Sequence, residues 1–352
     1  MICFDLETSG LSPHTDTIHL AQFYTPGDDH AELIPNPSKA YLQERLAAAD
    51  HIVGHNLHFD FGFAGYIPTD IEQFDDTFFL SRVQNYREER HSLDVAAALA
   101  MVYNPYEGID KKLMQKADWS QLTPEQIAYA ELDVTVLPPL YNSLKASRTN
   151  QVYCFDKRSV IACLKMQRHG LPVDHKATRT HLRSARTQLK SALGRLDFNP
   201  NSPKQTKEAL GIESTGDKFL AEEIAAGNET AAIVREARKL RKHVNFLEKL
   251  DMHPRFMGTI KPNARSGRTT SDQENLQNLP RATKALIAVP NNRVLLAPDY
   301  AQLELRTIAC ITKDETMLRL FNAGEDLHDY SARQMYGEEF TPTQRQIAKT
   351  FN

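Results

Sequence analysis

Cysteine is scarce in this chain of 352 residues, and the four present (Cys3, Cys154, Cys163, Cys310) are scattered, with no Cys-x-x-Cys pair. That excludes a disulfide framework and a cysteine zinc site, and it fits a reducing cytosol. Long apolar runs are also missing. None approaches the roughly 18 residues needed to cross a bilayer, and the N-terminus has no signal-peptide pattern. No membrane is therefore expected as a partner. The rest is the composition of an ordinary globular protein, long enough for two or three domains with sizeable cores.

A large charge of either sign is absent too, with a formal net of -3. The balance hides an asymmetry. Residues 1–150 hold 22 acids against 10 bases, and residues 151–260 hold 12 acids against 20 bases. An acidic segment beside a basic one suggests a metal-loaded module joined to a module that binds a polyanion.

In the acidic segment, Met1–Phe4, Ile18–Tyr24, Ala31–Ile34 and His51–Gly54 read as strands, and Lys39–Ala49 and Asn56–Phe63 as helices. Thr123-Pro124-Glu125-Gln126 supplies an N-cap, a first-turn proline and an acid, and opens a helix reaching Leu144. Asp5 and Glu7, two apart in an extended chain, share one face. Tyr129 and Asp133, four apart on a helix, share another. Singly, each acid reads as a cap or a surface charge. Together Asp5-x-Glu7, Asn56-x-x-Phe59-Asp60 and Tyr129-x-x-x-Asp133, in that order, resemble the three motifs of the DnaQ-like 3′–5′ exonucleases, in the group whose third motif carries tyrosine. The resemblance implies an RNase H-like domain over residues 1–148. In it Asp5, Glu7, Asp60 and Asp133 hold two Mg²⁺ or Mn²⁺ ions, and Tyr129 orients the attacking water. The related group with a histidine base would place it at Ala128. His51, His55, His58 and His91 read as structural or surface groups, and Asp76-Thr77 and His91-Ser92-Leu93 as helix starts.

The basic middle reads as helical. One helix runs from about Val152 to a stop at His169–Asp174, a second to about Leu196, and a third spans Thr230–Leu250 with Arg235, Arg238, Lys239, Arg241 and Lys242 on one side. Asn199–Gln205 reads as a turn feeding a helix N-terminus. With the loop Ser214–Lys218, it resembles the thumb of family A DNA polymerases, which implies a thumb over residues 149–256. There Asn201, Ser202, Lys204 and Gln205 would meet duplex phosphates, contacts that position DNA without reading it.

Residues 257–352 resemble part of the polymerase palm and the start of the fingers. Gly267-Arg268 and Asn275-Leu276-Gln277-Asn278-Leu279-Pro280 match a primer–template signature, implying contacts from Arg268, Asn275, Gln277 and Asn278. Asp299–Arg306 (Asp-Tyr-Ala-Gln-Leu-Glu-Leu-Arg) resembles the family's Asp-Tyr-Ser-Gln-Ile-Glu-Leu-Arg. Val294–Ala297 reads as a buried strand presenting Asp299, and Gln302–Ile311 as the helix after it. The resemblance makes Asp299 a metal ligand, with the Tyr300 carbonyl beside it. It places Gln302, Glu304 (the gate against ribose), His328, Arg345 and Lys349 around an incoming deoxynucleoside triphosphate. The aromatic residue expected four beyond Lys349 falls past Asn352, and the family's second catalytic carboxylate is not among these residues.

The expectation is thus an α/β protein: an RNase H-like exonuclease, a helical thumb and a partial right-hand palm. It reads as the amino-terminal part of a longer proofreading DNA polymerase. The start directly at the first exonuclease strand suits a compact viral or plasmid-type enzyme. It would be a monomer in the cytoplasm of a bacterial or phage-infected cell, acting on primer–template DNA and single-stranded 3′ ends. The alternative is a free-standing 3′–5′ exonuclease of DNA or RNA with a vestigial polymerase part. A binding module with dead sites is disfavoured by retention of every exonuclease acid.

Overall fold

The structure, a computed structural model, describes residues 1–100, 106–114, 117–119, 121–272, 275–279, 281–290 and 292–351. Pro280 and Asn352, named above, lie outside the described residues. The chain divides into two compact units, Met1–Ala288 and Val289–Asn352.

A five-stranded sheet organises the first unit. β1 (Ile2–Thr8), β2 (Ile18–Tyr24) and β3 (Glu32–Pro35) form an antiparallel meander. After α1 (Lys39–Ala48), β4 (Ile52–Gly54) pairs parallel to β1; after α2 (Leu57–Ala64), β5 (Phe74–Asp76) pairs parallel to β4. The order β3-β2-β1-β4-β5 puts β1 at the centre, and this is the expected RNase H-like α/β arrangement. Helices α3 (Thr77–Gln84), α4 (Leu93–Leu99), α5 (Lys111–Met114), α6 (Pro124–Thr135) and α7 (Leu137–Leu144) follow. The helix expected over Thr123–Leu144 is divided at Val136, because Pro138 and Pro139 bring no N–H to the next turn and fit only at a helix start. Phe4, Phe23, Phe61, Phe74 and Phe79 fill the core.

α8 (Gln151–His169) opens the basic region, yet its buried residues Tyr153, Val160 and Leu164 belong to the same core as the sheet. The chain reverses at Gly170, whose φ of +59° suits glycine. β6 (Leu171–Pro172) leads into α9 (His175–Leu193), capped by Asp174. α10 (Pro203–Leu210), α11 (Asp217–Ala225) and α12 (Glu229–Met252) follow. α9 and α12 run antiparallel: Leu182, Ala185 and Leu189 pack with Val244, Leu247 and Leu250, flanked by the ion pairs Arg179–Asp251, Arg186–Glu248 and Arg195–Glu236. β7 (Arg255–Phe256) returns to pair with β6, and β8 (Thr259–Lys261) pairs with β9 (Thr270–Asp272) before α13 (Arg281–Lys284).

The second unit contains α14 (Leu303–Thr312), α15 (Glu315–Asn322), α16 (Leu327–Tyr336) and α17 (Pro342–Ala348). The strand expected at Val294–Ala297 does not form. Val294, Leu295 and Leu296 are 80%, 68% and 81% exposed. An apolar run becomes a strand only where a neighbour takes its backbone N–H and C=O groups, and no described residue pairs with this one.

Asp75, in the middle of β5, is wholly buried and binds one element after another. It meets His51 Nε2 at 2.9 Å, Tyr141 of α7 at 2.8 Å, and Tyr153 and Lys157 of α8 at 2.7 and 3.2 Å. Burial alone would raise its pKa. The hydrogen bond from His51, the Lys157 charge and the two tyrosine hydroxyls overcome burial and hold it at about 2. Asp75→Ala would leave the Lys157 ammonium, 3% exposed, without its counter-charge, and should lower stability by about 3–5 kcal/mol. Because the folded pKa lies below the ordinary 3.8, this stabilisation is complete above the ordinary range and is lost as pH falls toward about 2. Urea unfolding from pH 7 down to pH 2 checks both statements: wild type and variant should converge only at the acid end.

Candidate active site

Asp5 and Glu7 point to one face of β1, opposite Gln22 and Leu20 of β2, as their spacing requires. α6 brings Asp133 to them. Carboxylate oxygens of Asp5, Glu7 and Asp133 lie within 4.8 Å of one another. Asp60, 2% exposed on α2, completes the wall of the same cleft of about 460 Å³.

What brings α2 here is a second acid, Asp76. Asn56 starts α2 in a left-handed conformation (φ +65°) and makes no side-chain cap. The Asp76 carboxylate caps the helix from across the sheet, accepting the Asn56 and Leu57 N–H groups, each at 2.8 Å, while also capping its own helix α3 through Phe78 N–H. The sequence reading had Asp76 as a helix start only. Its second role depends on the parallel pairing of β4 with β5, which no local motif announces.

The electrostatics are severe. Burial, then the charge of Asp133, pushes Asp5 well above the carboxylate range; burial, then Asp5, does the same to Asp60; and burial, then Asp5 and Asp133, raises Glu7 to about 10. Two carboxylates at 4 Å repel by about 4 kcal/mol even at an effective dielectric near 20. Such a group must hold protons or cations. An all-oxygen donor set so closely gathered suits a hard divalent metal ion.

Tyr129 is half-buried beside the cluster. Its ring lies 5.4 Å from that of Tyr106 and 6.1 Å from Trp119. Burial and the nearby acids raise its hydroxyl pKa, so it stays protonated. Tyr106 is the residue that sequence reasoning missed: its hydroxyl hydrogen-bonds Asp133 Oδ1. It lies in a stretch without periodic pattern, and nothing local marks it. The histidines serve the scaffold. His51 binds Asp75, His55 Nδ1 meets Thr77 Oγ1 at 2.9 Å, and His91 Nδ1 meets Ser81 Oγ at 3.0 Å. Burial and then the Lys261 charge push His58 down to about 4.

In the basic region Ser202 caps α10, Gln205 Oε1 accepts the Asn199 N–H at 2.8 Å, Asn201 N–H donates to Asn199 Oδ1, and Lys204 is exposed. The basic face of α12 is smaller than its sequence suggests. Arg235 forms a two-pronged pair with Asp217, and Arg238 donates to the carbonyls of Pro200 and Thr215. Lys239 and Lys242 stay exposed along an open cavity of about 580 Å³. Arg268 is exposed. Asn275 Oδ1 accepts the N–H groups of Gln277 and Asn278, and Gln277 Nε2 donates to Thr269 at 2.6 Å.

In the second unit Asp299 and Tyr300 are exposed in irregular chain. Gln302 starts α14 with φ +53°, and its Oε1 accepts the Leu327 N–H at 3.2 Å. Glu304 lies in the first turn of α14 and His328 in that of α16; Lys349, just past α17, is exposed. Arg345 is held by Asp326, at 2.8 Å, and by Asp329.

An RNase H-like sheet with four carboxylates converging on its central strand defines a nuclease-type domain. Comparisons with known proteins bear on both this domain and the rest of the chain. The profile of the 3′–5′ exonuclease family matches residues 1–147, and that of DNA polymerase family A matches residues 171–352. The chain belongs to DNA polymerase family A. It is 29% identical to DNA polymerase I of Aquifex aeolicus, covering 99% of this chain and 67% of that protein. It is 24% identical to DNA polymerase I of Borreliella burgdorferi, covering all of this chain but 44% of that one. The solved POL domain of Pol1 from M. smegmatis, in complex with DNA primer-template and dNTP, shares the fold with a TM-score of 0.66 at 18% identity, over 99% of this chain and 66% of its own.

Proposed function

We propose that residues 1–352 carry the 3′–5′ exonuclease and part of the polymerase region of a proofreading DNA polymerase. The observation that carries this is the convergence of Asp5, Glu7, Asp60 and Asp133 in one open cleft. The four acids would hold two Mg²⁺ or Mn²⁺ ions. Bound there, divalent cations supply a water of lowered pKa and charge stabilisation at the phosphoryl oxygens.

The chain's own residues do the rest. Phe59, Phe78 and Leu93 line the cleft and give the terminal sugar and base an apolar wall. Tyr129 keeps its proton and steers the attacking water by hydrogen bonding, and Tyr106 fixes the carboxylate of Asp133. The water oxygen adds to the last phosphorus as the bond to the preceding 3′ oxygen breaks. A nucleoside 5′-monophosphate and a strand one unit shorter result. A 5′-labelled single-stranded DNA incubated with Mg²⁺ or Mn²⁺ should shorten stepwise from its 3′ end. Shortening that ignores chelator, or that starts at the 5′ end, would refute this reading.

Of residues 149–256, those beyond α8 would act as a thumb, and 257–352 would act as part of the palm and fingers. Asn201, Ser202, Lys204, Gln205, Arg268, Asn275, Gln277 and Asn278 would meet the DNA backbone. Asp299, Tyr300, Gln302, Glu304, His328, Arg345 and Lys349 would meet the metal and an incoming deoxynucleoside triphosphate. A monomer in the bacterial cytoplasm fits this set of partners. Because Arg235 and Arg238 have internal partners, the bases left for phosphates on α12 are led by Lys239 and Lys242. Replacing both with alanine should weaken duplex binding equally for all sequences and flatten the slope of log K against log salt by about 0.9 per lost contact. A sequence-selective loss with an unchanged slope would count against a thumb role.

A further inference from the structure

Beside the acid cleft lies a second cavity of about 300 Å³, and Phe78 and Asn263 line both. Its other walls include Arg82, Tyr86, Asp156 and Arg265. Asp156, on α8, is 4% exposed, and its Oδ2 has no hydrogen-bond partner among the described residues. Arg82, lying over the Phe78 and Phe79 rings at 5.9 and 5.4 Å, has a buried Nη1 with no partner there either. A buried carboxylate oxygen and a buried guanidinium N–H left unsatisfied are each costly. Both residues line the cavity, and the Arg82 charge acts on Asp156; a ligand bringing a donor and an acceptor would supply the hydrogen bonds that these two side-chain atoms lack among the described residues.

The charge balance identifies the kind of ligand. Arg82 and Arg265 face Asp156, Glu88 and Glu89 around the cavity, and Arg265 lies 3.6 Å from Glu89. These three acids outnumber the two arginines, which disfavours a phosphate. Tyr86, 66% exposed at the wall, offers a ring for stacking. The volume is ample for one nucleobase with its sugar.

We propose that this cavity is a nucleobase subsite for the single strand whose 3′ end enters the acid cleft, and that Asp156 and Arg82 select the base. Asp156 accepts from an exocyclic amine, while Arg82 donates to a ring carbonyl. Guanine and cytosine carry both groups on one edge; thymine lacks the amine and adenine the carbonyl. The subsite thus makes removal of the 3′ end depend on the identity of an upstream base, a preference beyond the exonuclease reading on which it rests.

The test uses 5′-fluorescent oligothymidine in which one position, stepped back from the 3′ end, is changed to guanine, cytosine or adenine. Binding to the 352-residue chain is read by anisotropy in chelator, and trimming is read separately with Mg²⁺. One position should show guanine or cytosine binding about tenfold tighter than thymine, the scale of one hydrogen bond to a charged group. In Asp156→Ala that preference should fall to within about twofold. Asp156→Ala removes the acid whose charge interacts with Arg82, so its melting temperature is read beside its binding; where alanine unfolds the chain, Asp156→Asn, which keeps the shape, should blunt the preference. Equal affinity for all bases at every position, or a preference that survives Asp156→Ala, would overturn the subsite. Base-selective binding without trimming would sink the exonuclease reading and leave the subsite standing. Trimming without base selection in either measurement would do the reverse.

Discussion

Asp5→Ala or Asp133→Ala should slow release of 3′ nucleotides by at least about 10²-fold, the cost of small displacements at a reacting centre. Each acid is part of a group whose oxygens lie within 4.8 Å of one another, so no neighbour can take its place without rebuilding the cluster. Folding should survive, because burial and mutual repulsion make the cluster a source of strain in the protein without cations; relieving it should hold or raise the melting temperature. Tyr129→Phe removes a hydroxyl but no ligand and should be milder, at about tenfold. Tyr106→Phe, which frees the Asp133 carboxylate to turn, should fall between the two. Stepwise shortening of a labelled strand, timed at saturating Mg²⁺, measures all four. Undiminished trimming in both acid variants would show that the metal-binding assignment is wrong.

Primer extension should be undetectable with the 352-residue chain alone, even with trimming disabled by Asp5→Ala and Glu7→Ala. Two-metal nucleotidyl transfer needs two carboxylates placed to about an ångström. Asp299 is exposed in irregular chain. The neighbouring candidates Asp326 and Asp329 are bound to Arg345, and Asp326 also caps α16. Fusion to a segment carrying the family's second palm carboxylate should restore extension, and Asp299→Ala should then abolish it. Extension by the present chain that is lost on Asp299→Ala would overturn the claim.

The exonuclease half was legible because its signals are local and its partners lie within the sequence at hand. Asp5 and Glu7 alternate along one strand; Tyr129 and Asp133 repeat along one helix; Thr123-Pro124 announces where that helix starts. What escaped was contact between distant segments. Asp76 caps α2 across two parallel strands, Tyr106 reaches Asp133 from an unpatterned stretch, and Arg238 turns inward to two carbonyls although its spacing matches its exposed neighbours. Val294–Ala297 failed for a different reason. Its composition is that of a strand, but strand formation is a property of pairs, and no described residue takes the other side.

The Asp75 network bears on where this protein can be cut. The exonuclease family match ends at residue 147, which invites expression of the nuclease as a fragment stopping there. Such a fragment would strip Asp75 of Tyr153 and Lys157 and uncover the core positions filled by Val160 and Leu164. Where the charge changes sign the packing is continuous: α8 is the last wall of the nuclease. The smallest nuclease that folds by itself should therefore carry α8 to its end at His169.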